Sequence, residues 1–446
     1  MSKRRTLHLN ANIINAGTHP AAWRVAEDPA AYLKGDYYVE IARVAERGRL
    51  DAIFLSDQPA LRPEFAARPT QALDPLVVFS YVAAATQHIG LVFTASTTYN
   101  HPYNLARRTA SLDHLSNGRV GLNLVTTYNP DAAGNFGHDH RPEKSGRYDR
   151  ANEFTAVLNK LWDSWEDDAL IADRASGVFA DRSRVHAINH VGEHFRVKGA
   201  LGAPRSPQGR PVLLQAGSSE GGKAFAARYA DAVFTAQTVL EAGRDFYSEI
   251  RNLARGFGRD PDSVLILPGL FPIVGDTEQA AIQRKRELDE LHSDAPNVAG
   301  LAGQLGLDPA ELELDRPLPP DLLERHHELP GARGFYEATV QLAYRYNLTV
   351  RQLLEQGFAG HRRIVGSAEQ VADSIEEWFR ERAADGFNLN FDAGAEGLAL
   401  FVDQVVPILQ ERELFRREYE ETTLRERYGL PHVPSQFTSV KAAANG

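Results

Sequence analysis

The chain lacks cysteine altogether and contains a single methionine among its 446 residues. Without thiols there is no disulfide, no thiolate metal site and no cysteine nucleophile. Long apolar runs are also missing, since no stretch approaches the roughly 20 apolar residues that a membrane-spanning helix needs. The first residues, MSKRRTLHLN, run directly into a strand-like segment without the apolar core of a secretory signal. We therefore expect a cytoplasmic protein with no membrane partner.

A dense block of basic residues is absent too. Lys and Arg total 49 against 59 Asp and Glu, which gives a formal net charge of −10. Proteins that bind nucleic acid or anionic membranes usually carry clustered positive charge. The charge balance therefore argues against nucleic acid as a partner, and it favours solubility.

The sequence does contain a regular alternation of short apolar, β-branched runs with longer amphipathic stretches. A strand followed by a helix, repeated along the chain, is typical of a parallel sheet covered by helices. The eight predicted strands are LHLNANI (from Leu7), DAIFLSD (from Asp51), IGLVFTAS (from Ile89), GRVGLNLVTT (from Gly118), PVLLQAG (from Pro211), DAVFTAQ (from Asp231), SVLILPGLFPIVG (from Ser263) and GFNLNFDA (from Gly386).

Eight strand–helix units predict an α/β protein with a closed (β/α)8 barrel, the TIM barrel, which typically needs about 250 residues. The remaining length falls in two predicted insertions, about 166–210 and about 278–366, and in a C-terminal arm, about 413–446. We expect a single domain, 1–446, without internal repeats. A doubly wound open sheet is the alternative architecture that the pattern leaves open.

The carboxyl ends of the predicted strands carry polar residues. In a TIM barrel the working residues lie at these ends, where the loops of the active site begin. This rule selects Ser56 and Asp57, together with residues 94–98, 126–129 and 217–222. A Ser or Thr after a strand often only caps the next helix, so a structural role stays open for each residue taken alone.

The segment QAGSSEGGKAFAARYA combines a strand end, two hydroxyl side chains and several glycines before a predicted helix. Free backbone N–H groups and the positive end of the helix converge at such a turn, which predicts a phosphate site. Gly217–Lys223 also satisfies the G-x-x-x-x-G-K pattern, but Ala224 replaces the Ser or Thr with which a P-loop holds magnesium. The phosphate of a bound cofactor is therefore favoured over a nucleoside triphosphate.

Histidines occur in pairs at 138–140, 190–194 and 326–327. The segment HVGEHFRV around the second pair predicts a hairpin or strand, in which a four-residue spacing does not place both rings on one face. No pair has a convincing third ligand, so we expect no metal site. The segment GSSEG (217–221) offers a serine, but no nucleophile elbow with an evident His and acid partner, so we assign no catalytic residue.

Several longer segments match the sequence pattern of one protein family. They occur in the expected order over nearly the whole chain, and the match is weakest at about 288–362. The segments are LHLNANIINAGTHPAAWR, YYVEIARVAERGRLDAIFLSD, TASTTYNHPYNLARRTASLDHLSNGRVGLNLVTTYN, RYDRANEF, LWDSWEDDAL, FRVKGALGAPRSPQGRPVLLQAGSSEGG and VGSAEQVAD. Together they resemble one branch of the bacterial luciferase-like flavin-dependent monooxygenases. This branch includes nitrilotriacetate, dibenzothiophene sulfone and long-chain alkane monooxygenases.

The resemblance implies a TIM barrel that holds FMN at the carboxyl-end mouth. By motif, Asp57 in FLSD and Thr94 in TASTTY correspond to residues that face the isoalloxazine ring and the ribityl chain. Tyr148 in GRYDRA, with Ser218 and Ser219 in QAGSSEGG, corresponds to the phosphate end of the cofactor. The last two residues lie in the glycine-rich turn for which a phosphate site is predicted independently.

One position departs from the family pattern. Many relatives carry a His four residues before the tyrosine, whereas this chain has Lys144. A lysine can meet a phosphate as a point charge, but it cannot act as a near-neutral imidazole would.

The implied activity is that of a two-component monooxygenase. A separate NAD(P)H-dependent flavin reductase would supply reduced FMN, and O2 would react through a C4a-peroxyflavin with a small sulfur- or nitrogen-containing or xenobiotic substrate. The resemblance also implies a homodimer or homotetramer. Two alternatives stay open: a deazaflavin- or nicotinamide-linked oxidoreductase on the same barrel, and a catalytically idle flavin-binding protein.

The sequence leaves the substrate undetermined, because substrate choice depends on loop side chains. Arg107, Arg108 and Arg147 are candidates to meet an acidic substrate. The first two lie on a predicted helix, where a structural role is favoured.

Overall fold

The computed structural model describes residues 5–70, 73–127, 129, 131–140, 144–292, 294–324, 333–357 and 360–438. Eight parallel strands form a closed barrel in chain order, since each strand pairs with the next and the eighth pairs with the first. The predicted barrel is confirmed, and the open sheet is excluded. The strands are β1 (His8–Asn12), β2 (Ala52–Leu55), β3 (Gly90–Ser96), β4 (Val120–Val125), β5 (Val212–Gln215), β6 (Ala232–Thr235), β7 (Leu265–Gly275) and β8 (Gly386–Asn390).

A helix packs outside each strand of the barrel. The helices are α1 (Gly35–Arg47), α2 (Pro75–Ala85), α3 (Pro102–Leu115), α4 (Lys144–Trp162), α5 (Glu220–Tyr229), α6 (Leu240–Gly256), α7 (Ala368–Arg380) and α8 (Gly394–Leu400). A π-helical turn (Phe401–Val405) and a short helix (Val406–Glu411) continue α8. In α7, Val371, Ile375 and Trp378 recur at helical spacing and are buried, which places one face of the helix on the barrel.

Much of the barrel interior is apolar, because parallel strands covered on both sides bury both of their faces. Phe54, Phe234 and Leu267 belong to an interior cluster that also includes Leu424 and Tyr428 from the C-terminal segment, residues 413–438. The Tyr428 hydroxyl donates a hydrogen bond to Asn10 Oδ1 of β1 at 2.9 Å. The C-terminal segment therefore closes the amino-terminal end of the barrel, and a ligand must enter from the carboxyl ends of the strands.

Between α4 and β5 the chain forms two small antiparallel hairpins, Leu170–Asp173 with Val178–Ala180 and His190–Val191 with Arg196–Val197. The second hairpin confirms the prediction for HVGEHFRV. Glu153 of α4 fixes this hairpin, since its carboxylate lies 2.9 Å from His190 Nε2 and accepts the backbone N–H of residue 194. The His190 ring and the backbone of residue 194 therefore help to fix the hairpin.

Between β7 and α7 the chain forms the helices Glu278–Glu290, Asp294–Leu305, Arg333–Tyr346 and Val350–Gln356 and a further strand, Arg362–Ser367. The strand pairs in parallel with the second half of β7, and it was not predicted from the sequence. Several of the helices share a small apolar core of their own, which includes Leu301, Leu322 and Val340. Across the described chain, every helix is too short or too polar to span a membrane.

Candidate active site

A cavity of about 1160 Å³ opens at the carboxyl ends of the barrel strands. Its wall takes residues from the ends of all eight strands and from the segment 333–361. The five residues that the family pattern selected as cofactor ligands all line this one cavity. They are Asp57, Thr94, Tyr148, Ser218 and Ser219.

Ser219 caps the amino terminus of α5 at one side of the cavity. Its hydroxyl accepts the backbone N–H of Gly222 at 3.3 Å, as expected of a Ser at this position. A Cβ on Gly222 would lie 2.9 Å from the Tyr148 hydroxyl, so glycine permits the close approach of the tyrosine. The cavity wall thus includes the small residues Gly217, Ser218 and Ser219, which directly precede α5 and the positive end of its dipole.

Tyr148 comes from the start of α4 and meets this turn. Its hydroxyl lies 3.3 Å from Ser219 Oγ. The preceding residue, Arg147, is buried, lines the cavity and donates to the carbonyl of Thr127 at 3.0 Å. Arg147 is thus the one of the three candidate arginines that reaches the cavity.

The two other candidates lie elsewhere. Arg107 and Arg108 are exposed on α3 and do not line the cavity. The side chain of Lys144 lies outside the described part of the structure, so its role at the phosphate end stays a prediction.

Ser218 is covered by a segment that sequence reasoning did not connect with the site. A Cβ on Gly334 would lie 2.0 Å from Ser218 Oγ, which shows how closely the start of helix Arg333–Tyr346 approaches the glycine-rich turn. Arg333 also lines the cavity and pairs with Glu337 at 2.6 Å. The turn after β5 therefore lies beneath the start of this helix.

Buried amide groups line the deeper part of the cavity. Asn123 of β4 donates from Nδ2 to Thr94 Oγ1 at 2.9 Å. The Oδ1 atoms of Asn12, Asn123 and Asn388 are buried and have no hydrogen-bond donor among the described residues. Buried polar groups are normally satisfied, so these acceptors indicate a ligand that carries N–H or O–H donors. The sequence signal for them was a polar residue inside an otherwise apolar strand.

Asp57 and His361 line the cavity and have shifted pKa values. Burial raises the pKa of Asp57 to about 6, and the nearby Asp74 carboxylate adds to the effect. Burial lowers the pKa of His361 to about 4, so its imidazole is neutral at pH 7. His361 Nδ1 has no partner among the described residues. Sequence reasoning selected Asp57 and missed His361.

His361 is packed tightly against the barrel. A Cβ on Gly269 of β7 would lie 2.0 Å from His361 Nδ1, so a glycine is required beneath the ring. Phe335 packs edge-to-face against the imidazole, with the ring centroids 5.5 Å apart. This histidine is therefore a fixed part of the cavity wall.

These features define a class, the TIM-barrel proteins with a ligand site at the carboxyl ends of the strands. Within it, the pattern of the family described as "Luciferase-like monooxygenase" matches residues 15–386. The chain belongs to this family, as the sequence resemblance predicted, and it is a monooxygenase.

Individual relatives resemble the chain over nearly its full length. The chain is 43% identical to the N-acetyl-S-(2-succino)cysteine monooxygenase of Bacillus subtilis (strain 168), over 98% of this chain and 99% of the relative. It is also 43% identical to nitrilotriacetate monooxygenase component A of Aminobacter aminovorans, over 93% and 94%. Among solved structures, a riboflavin lyase with modified FMN and riboflavin is 33% identical, with a TM-score of 0.82 and coverage of 96% of this chain and 97% of that one.

Proposed function

We propose that this protein is the oxygenase component of a two-component system, which binds reduced FMN at the barrel mouth and uses O2 to oxidise a small sulfur- or nitrogen-containing compound. One observation carries the proposal. A single cavity combines an anion-binding helix terminus at Ser218 and Ser219 with buried, unsatisfied acceptors at Asn123 and Asn388. These are the complements of a phosphate and of the N–H edge of a flavin ring.

The residues present fit the cofactor at both ends. Tyr148, Ser218 and Ser219 would hold the phosphate, because the first N–H groups of α5 have no partners within the helix. Thr94 and Asn123 would meet the ring, where the free Oδ1 of Asn123 can accept a hydrogen bond from a flavin N–H.

Reduced FMN, when bound, supplies the activation of O2, and the chain supplies the surroundings. The helix start over Ser218 and the C-terminal segment below the barrel exclude water from two sides. Asp57 can hold a proton below pH of about 6 and release it above, which suits a proton carrier near neutral pH. His361 stays neutral, and its Nδ1 can accept or donate one hydrogen bond, according to the tautomer.

The relatives support the reaction class and the partner. One relative is named for a thioether substrate and another for a tertiary amine, so both substrates carry sulfur or nitrogen next to the carbon chain. The name "component A" denotes one part of a system with several proteins. We infer that an NAD(P)H-dependent flavin reductase supplies the reduced cofactor to this chain.

The test measures how the protein handles reduced flavin. Reduced FMN is bound without oxygen and then mixed with oxygenated buffer, and the appearance of hydrogen peroxide is followed. A monooxygenase delays peroxide release well beyond the time course of free flavin, whereas an idle flavin-binding protein leaves the time course unchanged. With N-acetyl-S-(2-succino)cysteine and nitrilotriacetate as probes and 18O2 as oxidant, one labelled oxygen atom should enter the product. Tighter binding of a deazaflavin than of reduced FMN would favour the alternative oxidoreductase.

A further inference from the structure

We propose that the outer face of α2, with the flanking faces of α1 and α3, is the surface on which a second copy of this chain docks. The two copies are related by a two-fold axis that runs along α2. The family resemblance implied a homodimer or homotetramer but no surface or symmetry for it, and both follow here from the exposed side chains. The surface lies on the outside of the barrel, so the inference goes beyond the proposed function.

The first observation is the composition of α2. Its sequence, PLVVFSYVAAA, contains no charged residue. Val78, Phe79 and Val82 are buried against the rest of the chain. Val77 and Tyr81, which share a face because they are four residues apart, are nevertheless 65% and 55% exposed. A helix that is apolar all round is normally covered all round, so this outer face requires a partner.

Other barrel helices have charged outer faces. The exposed residues of α6 include Glu241, Arg244 and Glu249, and those of α7 include Asp373 and Glu377. This is the pattern expected of a helix that packs on a core with one side and meets water with the other. The uncharged outer face is therefore a local property of α2 and not a general property of the barrel surface.

The charges on the two sides of α2 have opposite signs. α1 packs against one side of α2 and α3 against the other. Asp36 and Glu40 are exposed in the first half of α1, and the Tyr81 hydroxyl of α2 donates a hydrogen bond to Asp36 Oδ1 at 3.1 Å. Arg107 and Arg108 are exposed on α3. Among the residues that the structure describes, neither Glu40 nor Arg107 forms an ion pair. An apolar centre with an acidic flank and a basic flank is complementary to its own copy.

The positions of the charges decide the symmetry of the dimer. In a two-fold dimer both copies contribute the same surface. An axis across α2 makes the helices antiparallel and places α3 opposite α3, so that Arg107 and Arg108, near the middle of this helix, would meet their own copies. An axis along α2 makes the helices parallel and places α1 of each copy opposite α3 of the other. Because like charges at a contact are destabilising, the second arrangement is favoured.

The heights of the charges agree with the parallel arrangement. Glu40 lies five residues after the start of α1 at Gly35, and Arg107 lies five residues after the start of α3 at Pro102. Both are therefore about 8 Å along their helices. Glu40 of each copy then lies opposite Arg107 of the partner subunit, and the contact occurs twice by symmetry.

The second half of α1 is compatible with this arrangement. Arg43 and Arg47 are exposed there, and Arg47 forms an ion pair with Asp403 of its own chain. In the parallel dimer they lie opposite the second half of α3, where the exposed residues Ser111 and Leu115 carry no charge. No pair of like charges is therefore brought together.

The first test measures the mass of the particle by sedimentation velocity over a range of protein concentrations. Val77→Arg should halve the mass of the wild-type oligomer, with association weakened about a hundredfold, because it buries an unpaired charge at the centre of the contact. Val191→Arg is the matched control, since Val191 is 70% exposed on a hairpin away from α2. Its mass should equal that of the wild type. A monomeric wild type, or an oligomer that Val77→Arg leaves intact, would overturn the proposal.

A charge exchange tests the contact between α1 and α3. Glu40→Arg and Arg107→Glu should each weaken association about tenfold, because each brings like charges together across the contact. The double variant exchanges the two signs and should recover most of the wild-type affinity. Both side chains are exposed, so equal melting temperatures of the variants at low concentration would show that the fold is kept. Additive losses in the double variant would overturn the pairing.

Cross-linking tests the direction of the axis. The chain has no cysteine, so Val77→Cys and Ala84→Cys each introduce a single thiol, and the two positions lie on one face about 10 Å apart along α2. With the axis along α2, each position faces its own copy, and a short bis-maleimide should link both variants into dimers. An antiparallel pair would place only one of the two positions next to its copy, so linkage at a single position would overturn the parallel arrangement. None of these measurements uses flavin, and their outcome is therefore independent of the proposed function.

Discussion

The two sides of the cavity differ in how the chain builds them. The proposed phosphate side is formed mainly by one strand end and the helix that follows it, in which Gly217, Ser219 and Gly222 lie within six residues. The rest of the cavity wall, which we call the substrate side, draws on a long loop after β2, and His361 comes from beyond β7. A backbone turn is encoded by neighbouring residues, whereas a wall of side chains depends on loops that meet only in the folded state. The phosphate side can therefore be predicted from the sequence, whereas the substrate side can be identified only in the folded structure.

The largest expected effect tests the phosphate side. Ser219→Asp should weaken the binding of reduced FMN more than a hundredfold, about 3 kcal/mol, because it places a negative charge where the phosphate would bind. Asp is as good a helix cap as Ser, so α5 should keep its structure. Anaerobic titration with reduced FMN measures the change.

Riboflavin, which lacks the phosphate, provides the control for this variant. Its affinity should differ little between the wild type and Ser219→Asp. If the variant binds FMN as tightly as the wild type does, the phosphate lies elsewhere. The division of the cavity into a phosphate side and a substrate side would then be wrong.

The second prediction concerns the contact between the start of helix Arg333–Tyr346 and the glycine-rich turn after β5. Gly334→Val should weaken FMN binding about thirtyfold, about 2 kcal/mol, because a Cβ would lie 2.0 Å from Ser218 Oγ and would push the helix start away from the turn. Gly303→Ala is the matched control, since a Cβ there meets nothing within 4 Å. Equal FMN affinity in the two variants would show that the helix start does not shape the phosphate side.

The difference between features encoded by neighbouring residues and features formed by distant loops explains which parts of the fold and site could be predicted from the sequence. All eight barrel strands were predicted, because strands buried on both faces are continuous apolar runs. The strand Arg362–Ser367 was missed because it begins with two arginines and is only half-buried. Gly334 and His361 were missed because neither lies at the end of a predicted strand, and no local pattern shows that they approach Ser218 and Gly269.

The third prediction concerns the pH dependence of stability that Asp57 produces. The pKa of Asp57 is about 6 in the folded state and near 4 in an unfolded chain, so the folded state binds the proton more tightly. The resulting stabilisation is complete below pH of about 4 and is lost as pH rises through about 6. Asp57→Asn removes this dependence and should be more stable than the wild type by about 1–2 kcal/mol at pH 8, after allowance for partial exposure.

Urea unfolding at pH 5 and pH 8 measures this difference. Asp139→Asn, which changes an exposed carboxylate, should show no comparable gain at pH 8. A gain for Asp57→Asn that is the same at both pH values would mean that ionisation of Asp57 is not its cause.

The smallest expected effect is that of Tyr148→Phe, which tests whether the tyrosine acts through its hydroxyl or only through the packing of its ring. Tyr148→Phe keeps the ring, which packs near Phe225, but removes the hydroxyl that lies 3.3 Å from Ser219 Oγ. Loss of one such hydrogen-bonding group should weaken FMN binding about fivefold, about 1 kcal/mol. Tyr229→Phe is the matched control, because its hydroxyl bonds the carbonyl of Asn152 away from the cavity. If Tyr148→Phe lost as much affinity for riboflavin as for FMN, the hydroxyl would act on the flavin ring or ribityl chain and not on the phosphate. Tyr148 would then not belong to the phosphate side.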